Sequence, residues 1–162
     1  MAIKAKSITV GLPWGLGSVE FEANEAERRA AWALYVELMT RAAVQPFHPE
    51  WGSLREVLTS LYSLFELTRR VLREAGPAVA HGPQSFGPVA IEALTQGIAP
   101  FTTRWHPCLR AYEAARPEGV DALQYEKAWE HYTAMRRELE ELRKQMRDYA
   151  DILAKIAGAK GV

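Results

Sequence analysis

The strongest pattern in the chain lies near its C-terminal side. From Asp121 to Ala157 there is no proline and no glycine. Tyr125, Trp129, Tyr132, Met135, Leu139, Leu142, Met146, Tyr149, Leu153 and Ile156 follow one another at steps of three or four. That rhythm predicts one long helix over 121–157, with an a/d seam of the coiled-coil kind from Met135 onward. On its other faces, opposite charges stand four apart, as in Arg136–Glu140, Lys144–Asp148 and Asp151–Lys155. Such pairs support an exposed helical surface.

Two shorter helices precede it. Asn24 can cap the first turn of one helix over 25–45, and Glu27, three residues on, completes a capping box. Ala31, Leu34, Tyr35, Leu38, Met39 and Ala42 give that helix an apolar face. Ser53 and Glu56 repeat the capping signal for a helix over 53–75, which Gly76-Pro77 should close. Leu54, Val57, Leu58, Leu61, Leu64, Phe65, Val71 and Leu72 cover more than half its circumference, so it should be buried on several sides. Between 77 and 117, Val89, Ile91, Leu94, Ile98, Phe101, Trp105, Leu109 and Tyr112 again suggest helix. Pro100 and Pro107 should kink or split it.

Only residues 3–22 read as β structure. Alternation over 3–10 and 18–22, around the turn-rich GLPWGLG, predicts a hairpin. A lone hairpin is marginal in water, so one face must rest on the helices. The expected fold is therefore mainly α: an antiparallel four-helix bundle with its third helix kinked or split, an N-terminal β-hairpin and a long C-terminal helix. In this reading one domain spans 1–162, with the hairpin over 3–22, the bundle over 24–157 and a flexible tail over 158–162.

Length sharpens one point. At ~1.5 Å per residue the helices over 25–45 and 53–75 reach roughly 31 and 35 Å, whereas one over 121–157 would reach about 55 Å. The overhang would leave apolar seam residues bare unless the helix bends, the hairpin covers them or another chain does. Leu139, Leu142, Met146, Tyr149, Leu153 and Ile156 thus become candidates for self-association. Trp14 joins them, because an indole at a loop tip either folds back or anchors a partner.

Composition narrows the partner. The 162 residues carry 20 Lys+Arg against 20 Asp+Glu, with 48% apolar residues. Even balance lacks the footprint of a general nucleic-acid binder, so nucleic acid is disfavoured. No run approaches the ~20 apolar residues of a membrane span, and MAIKAKSITV has no signal-peptide core. With one cysteine, Cys108, no internal disulfide is possible. A cytoplasmic protein is expected.

Chemical motifs are few. There is no H-E-x-x-H, no glutamate with a histidine three residues later, and no phosphate-loop spacing in GLPWGLG. No catalytic residue, metal or cofactor is expected. The Trp-His-Pro step offers one pocket, lined by Trp105, His106, Cys108 and Tyr112, although residues two apart on a helix diverge. Arg69, Arg70 and Arg73, with Arg104, Arg110 and Arg116, could contact a phosphate backbone or could simply complement helix ends. A short hairpin, three middling helices and a long charged terminal helix form a layout similar to small bacterial helical proteins, among them accessory subunits of multi-protein conflict systems. The expected function is a non-enzymatic interaction or scaffold module with a protein partner, a homo-oligomer, or both. A ligand or enzymatic pocket at the helix break and nucleic-acid-backbone binding are the alternatives.

Overall fold

A computed structural model describes residues 7–160 and 162. The chain is mainly helical, with one antiparallel two-stranded hairpin preceding the helices. Strand β1 (Ile8–Gly11) pairs with β2 (Ser18–Phe21), placing Ile8 opposite Phe21 and Val10 opposite Val19. These four apolar side chains share one face, and Val10, Val19 and Phe21 are buried. The expected strand began at residue 3; its positions 3–6 lie outside the described residues.

Helix α1 (Glu25–Met39) opens with the expected capping box: Asn24 Oδ1 accepts the Glu27 amide at 2.8 Å, and Glu27 Oε1 accepts the Asn24 amide at 3.2 Å. It ends before residue 45, because Arg41, Val44 and Gln45 bond back by three residues instead of four. Helix α2 (Leu54–Ala75) is capped by Ser53 and closed by Gly76, whose φ of +72° suits glycine. Leu54, Leu58, Leu61 and Leu64 are essentially inaccessible, as a broad apolar surface requires.

The third segment does not split at Pro107. Helix α3 (Phe86–Glu92) passes through a π-helical stretch, Ala93–Ile98, into α4 (Ala99–Ala114), and Pro107 lies inside α4. Pro100 follows directly on that stretch, where Ala99 bonds back five residues to the Leu94 carbonyl. The irregularity sits at the π-helical stretch, where Gly97 meets the indole of Trp14.

The C-terminal segment differs from expectation in the opposite sense. It breaks into α5 (Ala122–Lys127) and α6 (Tyr132–Ala157). Asp121 caps α5 through the Gln124 amide at 2.9 Å. At the step between the two helices, Trp129 is buried edge-on to Trp105 and stacked on Tyr112. These tertiary anchors outweigh the helical propensity of residues 128–131. With 26 residues, α6 is about 39 Å long, against about 33 Å for the 22 residues of α2. The expected overhang is gone.

Helix α1 packs against α6 and α2, α2 also against α4, and α4 against α6, while β1 rests on α6. The a/d seam points inward: Leu139, Leu142, Met146, Tyr149, Leu153 and Ile156 are all buried within this one chain. Hairpin and bundle cover the residues that the sequence offered for self-association. No helix among the described residues is long and apolar enough to cross a membrane.

Candidate functional site

A polar network joins the start of α2, the end of α4 and α5. The first amides of a helix lack intrahelical acceptors. Here they are taken by a distant side chain: Glu126 Oε1 accepts the Leu54 amide at 2.6 Å, and Oε2 accepts the Arg55 amide at 3.2 Å. The Ser53 hydroxyl donates to the same carboxylate at 3.3 Å while accepting the Glu56 amide. Burial raises the Glu126 carboxyl above the usual carboxylate range, and the amides and hydroxyl offset this only in part.

Arg55 continues the network. Its Nε stands 3.1 and 3.0 Å from the two carboxylate oxygens of Glu113, and a second guanidinium nitrogen donates to the same group. The remaining nitrogen lies 3.2 Å from His106 Nδ1. A guanidinium can only donate, so Nδ1 accepts and the imidazole proton sits on Nε2. The Tyr62 ring meets that imidazole edge-on. Tyr112 stacks on Tyr125 at 4.1 Å and donates its hydroxyl to the Tyr125 carbonyl at 2.6 Å.

A cavity of about 450 Å³ opens beside this network, with Trp51, Arg55, Glu56, Glu113, Arg116 and Asp121 among its walls. A second concavity of about 300 Å³ lies across Trp51, floored by Pro46, Phe47 and Val57. Trp51 stands on the ridge between them, 72% exposed and stacked on His48 at 3.9 Å. So open an indole is unusual for a side chain of this size.

The four residues of the sequence-derived pocket do not converge. Trp105 is buried and donates its indole N–H to Glu138 at 2.7 Å. Cys108 is exposed. His106 reaches the cavity only by holding Arg55, and Tyr112 only by stacking on Tyr125. The helix continues through Pro107, so His106 and Cys108, two apart, diverge, while Trp105 and Tyr112, seven apart, share the face that packs on Trp129. Trp14 is packed onto Gly97 and edge-on to Tyr149.

The arginines are also dispersed. Arg69 and Arg73 lie 3.9 and 4.0 Å from Glu66, Arg104 pairs with Glu138, and Arg116 donates to the Val120 carbonyl. Among the described residues no three His, Cys, Asp or Glu side chains gather as metal ligands would.

Arg55, Glu113, Glu126 and Trp51 were not singled out by sequence. The contacts that matter join residues 58 and 71–73 positions apart, which no local pattern encodes. Glu126 left one trace, a carboxylate three residues before Trp129 on the apolar side of its helix. Comparison of the chain with protein-family models, curated proteins and solved structures finds no match.

Proposed function

We propose that this chain is a non-enzymatic protein-interaction module, an accessory subunit whose helices α1, α2, α4 and α6 form an antiparallel bundle that presents the Trp51 ridge to a protein partner. The observation that carries this reading is the 72% exposure of Trp51 between two concavities. Exposed indoles flanked by recesses are the usual anchors of protein interfaces. Trp32, 45% exposed and stacked on Tyr35 beside Val36, offers a second apolar patch on α1. Self-association through α6 would require exposing a seam that is buried in one chain, so the docking surface moves to these aromatics.

The test is a photo-crosslinking amino acid placed at position 51 in cells of the native host, with Arg70 as an exposed control position. A discrete adduct to another protein from position 51 alone is expected. Crosslinking to nothing, or only to a second copy of this chain, would overturn the reading.

A ligand-binding reading is favoured by the cavity itself, whose Arg55 wall is held in place by His106. A small molecule that raises the melting temperature of the native chain but not of a folded His106→Ala variant would support it over protein docking.

A further inference from the structure

The walls of the two concavities carry an unequal charge. Four carboxylates, Glu56, Glu113, Asp121 and Glu126, face two guanidiniums, Arg55 and Arg116. Three of the four are already occupied, because Glu113 is paired with Arg55, Glu126 holds the amides that open α2 and Asp121 caps α5 through the Gln124 amide. Glu56 is different. A capping box would turn its side chain back onto the Ser53 amide. That bond is not made here: Glu56 is exposed and has no ion-pair partner among the described residues. Together with Trp51 and Ser53 it lines both concavities.

The indole beside it is half-dressed. His48 lies parallel to Trp51, covering one face at 3.9 Å, while the residue as a whole keeps most of its surface in solvent. An open indole face attracts cations through the ring quadrupole, and a neighbouring carboxylate adds an ion pair to the same group. An acidic partner would meet the excess of carboxylates, since Arg55 is neutralised by Glu113 and Arg116, bonded to the Val120 carbonyl, is left as the single cation against it among the residues lining this cavity.

We infer that the Trp51 ridge receives an arginine- or lysine-bearing segment of a partner protein, its cationic group seated between the Trp51 indole and the Glu56 carboxylate. Arginine suits the place better, because a guanidinium stacks on the ring while forking to the carboxylate. This inference rests on the protein-docking reading above and specifies the chemistry of the partner.

The test is selection of phage-displayed linear 12-residue peptides on the intact chain, followed by fluorescence-anisotropy titration of the enriched sequences. Arginine and lysine should be enriched, and affinity should fall about tenfold or more for Trp51→Ala and for Glu56→Lys, with Glu56→Gln intermediate. Both residues are surface groups, and circular dichroism of each variant checks that the fold persists. Enriched peptides without a cation, or peptides bound equally by the Trp51→Ala and Glu56→Lys variants, would overturn the inference, as would failure to enrich any peptide. A position-51 crosslink to a partner whose contacting segment lacks Arg and Lys would overturn the cation site alone and leave protein docking standing.

Discussion

The indole of Trp14 fills the space that a side chain at Gly97 would need: a Cβ built there lies 2.6 Å from the ring. Trp14 itself adopts φ of +59°, a left-handed conformation that disfavours non-glycine residues. The hairpin tip therefore accepts backbone strain in exchange for a large apolar contact with the π-helical stretch and with Tyr149.

Gly97→Ala should accordingly destabilise the chain by about 1–3 kcal/mol, the usual cost of overpacking. In a Trp14→Ala background the same substitution should become nearly neutral, because the obstructing ring is gone. A double-mutant cycle by urea denaturation checks this. Equal costs in both backgrounds would mean that the ring does not set the constraint.

Glu126→Ala should leave the first amides of α2 without acceptors in a part-buried site, costing about 1–3 kcal/mol. Glu126→Gln should cost less, since its carbonyl can still accept the Leu54 amide. The helix end would be read by amide hydrogen exchange at Leu54 and Arg55, which should accelerate in the alanine variant.

The same carboxyl adds a pH dependence. Its folded-state titration lies above the ordinary value of 4.5, so the native state binds the proton more tightly than the unfolded chain does. Its contribution to stability is thus fully present below the unfolded value and is lost as pH rises through the folded one. Relative to Glu126→Gln, the wild type should lose stability as pH rises through that window, in parallel denaturation series. A difference that is flat or of opposite slope would contradict the burial of this group.

Leu153→Glu tests the placement of the seam. On an exposed associating helix it would alter assembly and leave the fold intact. Leu153 is fully buried, so the new carboxylate must be desolvated without a partner. Loss of cooperative unfolding, or destabilisation beyond about 3 kcal/mol, is expected in urea melts of the variant. A folded variant of altered oligomeric state would instead restore the associating-helix reading.

The two capping signals show how far local sequence reaches. Asn24 and Glu27 form the reciprocal box that their spacing implies, and Glu27 is then reused: its buried carboxylate also accepts the Phe86 amide and meets His81 Nε2, each at 2.8 Å. Ser53 caps α2 as its spacing implies, yet the acidic partner at that helix end is Glu126, not Glu56. Local spacing identifies a helix start that lacks acceptors. It does not identify a carboxylate brought from more than 70 residues away.

Sequence alone therefore determined the mainly helical class, the hairpin, the start of α1 and α2, and the apolar face of α6. Periodicity and capping are properties of neighbouring residues, so they survive without knowledge of the fold. Tertiary structure decided the rest: the step at Ala128–His131, the passage of α4 through Pro107, what covers the α6 seam, and the exposure of Trp51 and Glu56. Each of these depends on a contact between distant segments whose packing energy exceeds local propensity. An a/d seam has the same spacing whether it meets its own chain or another, and only the closed fold shows that here it meets its own.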